Sequence, residues 1–276
     1  MSIITISREL AALGDETAKE ISKQLSCRLI DKHVLEERIK TFDVSVKKLE
    51  KYDGRKPSFF SSLSEDREEY LHYLKAAILA EAIEGDCVFI GRGAFVVLEG
   101  IPGVLPVFLV SSYKARIERV KSYFRCDEKR AWQIIEQSDR DRSGFHKFFF
   151  ERDWKDPDNY HITLNTGALH PEICAELIKN CAQSLINDEV KRECALRLQE
   201  KTCAQRIIHH IQYERHIGVH FLNAEVSGGV VRLYGVANSP LMVETASAAA
   251  KEISGIERVF SEIQIMQEYS IRPYKI

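Results

Sequence analysis

Apolar segments of strand length alternate with segments of helical periodicity over the first two thirds of the chain. The strand segments read SIITIS, CRLI, CVFIG, VLPVFLV and YHITLNT. Helical patterns fill residues 14–25, 31–42, 64–84, 112–124, 126–150 and 170–188, and a polar segment at 43–62 containing DGRKPS marks a loop. Strands separated by helices predict an α/β fold, a five-stranded parallel sheet with helices on both faces.

The pattern changes after about residue 188. A charged helical stretch at 190–215 precedes the strand segments VHFLNAEV and VVRLYGVA, which are joined by a hairpin signal at Ser227-Gly228-Gly229. An alanine-rich helix at 239–253 and a last strand within SGIERVFSEIQIM follow. This α-β-β-α-β order predicts a separate small α+β domain at 190–276 after a first domain at 1–187.

Composition narrows the functional classes. The 276 residues carry a formal net charge of −2, which argues against bulk binding of nucleic acid or a membrane surface. No apolar run is long enough to span a membrane, and the start does not have the pattern of a secretory signal. The seven cysteines are scattered without a CxxC pair, so we expect free thiols and a cytoplasmic location.

The loop after the first strand reads ISRELAALGDETAK. Gly14 fits the second glycine of the phosphate-binding pattern G-x-x-x-x-G-K-[ST]. Glu9, Asp15 and Glu16 replace its first glycine, its lysine and its hydroxyl residue, and the hydroxyl of Thr17 comes one position late. Backbone amides at a helix N-terminus can bind anions, but two carboxylates there would repel a triphosphate. Taken alone, this loop favours an acid-capped ordinary helix over a nucleotide site.

Two further features contain arginines that could bind a phosphate. Gly91-Arg92-Gly93 follows a strand directly, where an open parallel sheet binds its ligands, and an arginine there suits a phosphate. A tight turn with a surface arginine explains the same pattern equally well.

The second feature is the segment EQSDRDRSGFHKFFFERDWKDPDNY, which crowds arginines around Asp139 and Asp141. A lid that closes over a moving phosphoryl group needs such charge. A solvated charged helix is the alternative interpretation.

These segments together resemble the cytidylate kinase-like family of nucleoside monophosphate kinases over residues 2–185. The segments are ITISRE, LIDKHVLEE, CVFIGRGAFVVL, VFLVSSYKARIERV and the arginine-rich segment with the strand after it. The resemblance implies ATP and Mg²⁺ as cofactors, with no metal ligand assigned in the chain. It also implies residue roles: Arg8, Gly14, Asp15, Glu16 and Thr17 at the donor nucleotide; Asp31, Lys32, Arg92, Arg116 and Arg119 at the acceptor; and Arg140 and Arg142 as catalytic residues closing over the transferred group.

The sequence departs from that family at two places. The family has a glycine-rich loop that contains a lysine or arginine, and residues 11–15, AALGD, stand in its place. This difference concerns catalysis. Gly93 stands where cytidylate kinases carry an aspartate that reads cytosine, which bears on specificity for CMP.

The C-terminal part resembles a BON domain, a family associated with phospholipids or other hydrophobic or polymeric ligands. The matching positions are Gly229, Val231, Leu233, Gly235, Gly255, Ile256 and Val259. We expect a kinase acting on a pyrimidine, CMP-like nucleoside monophosphate, with this module serving regulation or self-association. The rival hypothesis is a weak or inactive kinase-fold sensor or scaffold that acts through the module. Neither hypothesis includes nucleic acid as a partner or stable insertion in a membrane.

Overall fold

The computed structural model describes residues 2–42 and 64–266, so the predicted loop at 43–62 lies outside the described residues. The chain divides into two compact units, Met1–Leu198 and Gln199–Ile276. The division falls inside the helix Asp188–His209. The predicted boundary lies just before this helix, and it stays a prediction.

The first unit is built on a parallel sheet of five strands. These are β1 (Ile3–Arg8), β2 (Arg28–Ile30), β3 (Cys87–Ile90), β4 (Val104–Val110) and β5 (Ile162–Asn165). Their order across the sheet is β2-β3-β1-β4-β5, and every neighbouring pair is parallel. The predicted α/β class and five-stranded parallel sheet are confirmed.

Helices connect the strands. They are α1 (Gly14–Leu25), α2 (Lys32–Lys40), α3 (Ser64–Ile83), α4 (Ala94–Val97), α5 (Tyr113–Phe124), α6 (Glu128–Phe150), α7 (Pro171–Leu185) and α8 (Asp188–His209). Asp31 caps α2 by accepting a hydrogen bond from the amide of Val34, and Ser112 caps α5 in the same way. The one-turn helix α4 was not predicted, because four residues are too few to show a helical period.

Alternate residues of the central strands enter two different cores. Ile4 and Ile6 of β1 pack on one face with Ile21 and Ile178. Ile3 faces the other side of the sheet and lies in the core that contains Phe89 and Leu74. Burial on both faces explains why these strands are nearly all apolar.

The second unit is a three-stranded sheet with a helix. β6 (His220–Ser227) pairs antiparallel with β7 (Val230–Ala237), and β8 (Arg258–Ile265) pairs parallel with β7 on its other side. The helix α9 (Pro240–Lys251) connects β7 to β8. Gly228 and Gly229 have φ values of 53° and 77°, which the tight hairpin turn requires. The predicted α-β-β-α-β order is confirmed.

The core of the second unit is separate from those of the first. Val231, Leu233 and Ile263 of the sheet pack with Ala246 and Ala250 of α9. The C-terminal half of α8 adds Ala204 and Ile207 to this core, with Ile211 of the π-helical turn His210–Glu214 after it.

Candidate functional site

The carboxyl ends of the parallel strands meet at one edge of the sheet. β1 ends at Arg8 beside Leu109 of β4, and Ile6 lies beside Ile90, the last residue of β3. The loops that follow these strands carry the arginine and glycine residues singled out in the sequence. An open parallel sheet binds its ligands at this edge, where its strand order changes direction.

The opening loop leads from β1 into α1. Ala11 and Leu13 adopt left-handed backbone conformations with φ values of 59° and 52°. Leu13, which precedes the helix that begins at Gly14, makes no side-chain capping bond to it. The first amides of a helix lack intrahelical partners, so this N-terminus offers donors to an anion even though Asp15 and Glu16 lie in its first turn.

The side chain of Arg8 crosses this edge of the sheet. Its aliphatic part lies against Gly14 and its Nη1 lies against Gly91. Its Nη2 is 3.3 Å from Oδ1 of Asp15. Burial lowers the pKa of the guanidinium, Asp15 opposes that shift, and the charge of Arg92 adds to it.

A cavity opens beside Arg8. It measures about 790 Å³, including the part open to solvent. Four cationic side chains and the carboxylate of Asp141 line it in the part of the chain that the structure describes. The lining residues are Ser7, Arg8, Lys32, Ile90, Gly91, Arg92, Ser138, Asp141, Arg142, Phe145, His146 and Trp154. This excess of positive charge suits a phosphate-bearing ligand.

Arg92 and Arg142 approach the cavity from different elements. Arg92 follows β3 and lies over the ring of Phe145, 5.7 Å from its centroid. Arg142 projects from α6 and donates to the hydroxyl of Ser138 at 2.5 Å. Burial lowers the pKa of Arg142 to about 10, and the charge of Arg8 contributes to the shift. An anion would relieve this repulsion between half-buried cations.

Aromatic side chains line another part of the cavity. The rings of His146 and Trp154 are stacked with centroids 6.2 Å apart, and their exposed fractions are 5% and 1%. Among the residues that the structure describes, neither His146 Nδ1 nor Trp154 Nε1 has a hydrogen-bond partner. Burial lowers the pKa of His146 to about 4, with the charge of Arg142 as a second cause, so the ring is neutral at pH 7.

A second cavity adjoins the first on the side of α2. Its lining residues are Arg8, Asp15, Lys19, Leu29, Asp31, Lys32, His33, Glu36 and Ile90. Arg8 and Lys32 therefore line both cavities, which connects the N-terminus of α1 with the end of β3. The structure thus brings together Arg8, Asp15, Asp31, Lys32 and Arg92 among the residues expected at the site.

Arg116 lies behind the opening loop. It is 3% exposed and donates from Nε to the carbonyl of Leu10 at 2.8 Å. Its Nη2 donates to both carboxylate oxygens of Asp139 at 2.9 Å, and its Nη1 is 3.3 Å from Oε1 of Glu9. Lys155 completes this ion network through Glu9 and Asp139.

Arg119 also holds the loop. Its Nη1 donates to the carbonyl of Ala11 at 2.8 Å, and its Nη2 donates to the carbonyl of Thr166 at 2.7 Å. Neither Arg116 nor Arg119 lines the cavity that contains Arg92. Their expected contact with the acceptor stays a prediction, since their contacts here are with the protein itself.

Arg140 lies away from the cavity. Its side chain is 61% exposed, and it contacts Gln137 and Glu136 on its own helix. Arg142 lines the cavity, so the structure separates two arginines to which the sequence analysis gives one role.

Three lining residues of the arginine-rich segment were missed from the sequence: Ser138, Phe145 and Trp154. Asp141 and His146, which also line the cavity, were noted among the charges of that segment but were given no role at the site. The mixture of aromatic residues with the charges was the available signal, because a fully solvated helix would not carry them.

The opening loop does not fit a protein-held magnesium ion. Such a loop ordinarily binds Mg²⁺ through a hydroxyl at the position of Glu16. The hydroxyl of Thr17 instead donates to the carbonyl of Leu13 at 2.8 Å, and the side chain is buried. Within residues 2–42 and 64–266, no group of three or more His, Cys, Asp and Glu side chains could hold a metal ion.

Residues 3–168 match the model of the cytidylate kinase-like family. The chain belongs to that family. Residues 199–267 match the model of the BON domain, and both matches agree with the resemblances and their order along the chain. A search of curated proteins found no match.

Solved structures align with about two thirds of this chain, and one of the following three has a TM-score above 0.5. An uncharacterized protein from Eubacterium ventriosum has a TM-score of 0.52 at 21% identity, covering 67% of this chain and 99% of that chain. Shikimate kinase from Bacteroides thetaiotaomicron has a TM-score of 0.39 at 18% identity, covering 67% and 97%. Shikimate kinase from Acinetobacter baumannii has a TM-score of 0.38 at 13% identity, covering 67% and 94%.

None of the helices in the part of the chain that the structure describes is both long enough and apolar enough to cross a bilayer.

Proposed function

We propose that this protein transfers the terminal phosphoryl group of ATP to a nucleoside monophosphate, with a pyrimidine nucleotide as acceptor. The observation that carries the proposal is the cavity at the ends of β1 and β3. Among the residues that the structure describes, four cationic side chains and one carboxylate line it. The cations are those of Arg8, Lys32, Arg92 and Arg142, and the carboxylate is that of Asp141. Membership of the cytidylate kinase-like family supports the same reaction.

The proposed reaction places two phosphate sites side by side. The amides at the start of α1 would hold the phosphates of ATP, and Arg92 would hold the phosphate of the acceptor. An acceptor phosphate oxygen attacks the γ-phosphorus, the bond from that phosphorus to the β,γ-bridging oxygen breaks, and ADP leaves with the electron pair. Such a transfer depends on positioning and positive charge more than on covalent chemistry by the protein.

A weak or inactive nucleotide sensor is the second candidate. The observations that favour it are Asp15 at the place of the loop lysine and Thr17 bonded to Leu13 instead of being available to a metal. Under this hypothesis the first unit binds a nucleotide without rapid transfer, and the BON-like unit conveys the bound state to a partner.

A coupled assay of ADP release against a panel of nucleoside monophosphates tests the leading proposal, with calorimetric titration of ATP beside it. We expect slow, saturable ADP release with at least one pyrimidine monophosphate. ATP binding without ADP release from any acceptor would favour the sensor.

For the BON-like unit, we propose self-association or regulation of the first unit. The chain's net charge of −2 provides little attraction to anionic lipid. Flotation of the full chain with anionic vesicles tests this assignment. Recovery with the vesicles that resists salt would contradict it.

A further inference from the structure

Arg8 occupies the place where the two proposed phosphate sites meet. It is the last residue of β1, so its backbone is fixed by the centre of the sheet. Its side chain passes the first residue of α1, Gly14, and reaches the turn after β3 at Gly91. One side is the proposed donor site, and the other is the proposed acceptor site.

Two glycines make room for this path. A Cβ on Gly14 would lie closer than 3.0 Å to both Cβ and Cγ of Arg8. A Cβ on Gly91 would lie equally close to Nη1, and Gly91 also has a φ of 76°. Because real Cβ contacts are not that short, an alanine at either position would displace Arg8.

The charges around Arg8 also hold it in place. Asp15, whose side chain is 66% exposed, contacts the guanidinium from the first turn of α1. Asp15 stands where the phosphate-binding pattern has its lysine. The acid at this position therefore pairs with a cation that comes from the strand, and its negative charge is partly compensated before any phosphate binds.

We propose that Arg8 is the catalytic cation that replaces the missing loop lysine, and that Asp15 is its positioning residue. The inference rests on the proposed function. In the transfer described above, Arg8 contacts the phosphoryl group as it passes from ADP to the acceptor oxygen. The guanidinium of Arg8 stays protonated, so Arg8 neither donates nor accepts a proton during the transfer. A contact that strengthens in the transition state raises kcat more than it lowers KM.

This assignment makes Asp15→Lys harmful. A lysine there would lose the ion pair and place a second cation against Arg8. If Asp15 were only a repulsive remnant, the same substitution would strengthen ATP binding and speed the transfer. The two interpretations of this loop therefore predict opposite signs for one variant.

The first experiment measures steady-state ADP release from the full chain and three variants. We expect Arg8→Met to lower kcat by about 100-fold with smaller changes in both KM values, since a preorganised charge acts mainly in the transition state. Asp15→Lys should lower kcat as well, whereas the double variant Arg8→Met/Asp15→Lys should recover about tenfold over Arg8→Met by returning a cation to the usual place. A purely structural Arg8 would give no such recovery.

Folding is controlled in parallel. Methionine keeps the aliphatic contact with Gly14, and Arg130→Met makes the same change at an exposed arginine of α6. Thermal unfolding should give similar midpoints for wild type and these variants. Arg8→Lys keeps the charge and should retain more activity than Arg8→Met. The proposal is overturned if Arg8→Met keeps wild-type kcat, or if Asp15→Lys is faster than wild type.

Binding separates this inference from the proposed function. The titrants are ATP, a pyrimidine nucleoside monophosphate, and an analogue in which five phosphates join adenosine to a pyrimidine nucleoside. Arg8→Met should weaken the joined analogue by about 100-fold and each separate ligand by less than about tenfold. A wild type that binds none of the three would overturn the proposed function. A wild type that binds the joined analogue no better than Arg8→Met would overturn the role of Arg8 alone.

Discussion

Arg140 and Arg142 are two positions apart on α6, and residues at that spacing do not share a helix face. Only Arg142 lines the cavity. The sequence could place both in one charged helix but could not tell which faced the ligand, because the helix has cations on more than one face.

We expect Arg142→Ala to lower kcat/KM for ADP release by about 100-fold or more, because it removes a half-buried charge from the proposed reaction centre. Arg140→Ala should cost much less, since its side chain is 61% exposed. Steady-state kinetics on both variants makes the comparison, with Arg130→Ala as an exposed control. Equal losses at the two positions would contradict the separation seen here.

His146 makes the free energy of unfolding depend on pH in the acidic range. Its pKa is lowered to about 4 by burial in the folded protein, whereas the unfolded chain has the ordinary value of 6.5. The unfolded state therefore binds more protons between these values, and stability falls as pH falls from about 6.5 toward 4. Its contribution to the free energy of unfolding is fully present above pH 6.5.

Chemical denaturation at pH 8 and pH 5 tests this. Replacing His146 by phenylalanine should reduce the loss of stability between the two pH values by on the order of 2 kcal/mol. Phenylalanine suits an environment that already contains Phe95, Phe150 and Trp154. His161→Phe, at an exposed position, is the control. An unchanged pH dependence in His146→Phe would assign the acid sensitivity to other groups.

At the scale of secondary-structure elements, Glu81 connects α3 with β2 and α2 through ion pairs. It lies on α3 with its side chain 4% exposed, and accepts from Arg28 of β2 and from Arg38 of α2, each at 2.6 Å. These contacts fix α3 against the edge of the sheet, at the end opposite the loops of the site.

Glu81→Ala should lower the free energy of unfolding by about 3 kcal/mol, near the low end for breaking a buried ion pair, because both arginines can still reach water. Glu84→Ala is the matched control, since Glu84 contacts the same two arginines but is 45% exposed, and it should cost less than about 1 kcal/mol. Urea denaturation provides both values. A loss at Glu84 as large as that at Glu81 would show that burial does not set the energy of this cluster.

The sequence predicted most elements, because strands buried on both faces and helices with capping residues leave local signals. Asp31 and Ser112 are examples, and both cap the helices they were expected to begin. The site was predicted less fully. The ion network of Arg116, Glu9 and Asp139 joins three distant segments, and its contacts depend on how the sheet brings those segments together. Local patterns of apolar and polar residues do not predict contacts between distant segments.

At the scale of the whole molecule, two compact units that do not share a core predict two unfolding events. Leu233 is fully buried in the core of the second unit, and Leu74 is 1% exposed in a core of the first. Replacing either by alanine should cost about 2–5 kcal/mol in its own unit. Leu233→Ala should therefore lower one calorimetric transition and leave ATP binding unchanged, while Leu74→Ala lowers the other. A single transition that both variants shift equally would mean that the units unfold as one.

The path of Arg8 between Gly14 and Gly91 also has an evolutionary consequence. The long side chain, the two positions without a Cβ, and the acid at Asp15 form one arrangement, in which a change at one position alters what the others can be. A relative with a lysine at this position of the loop would not need the arginine, and alanine at the two glycine positions would then destabilise it less. Among relatives, the residues at the positions of Arg8, Gly14, Asp15 and Gly91 should therefore vary together. The combination found in a relative should show whether its phosphate-binding cation comes from the strand or from the loop.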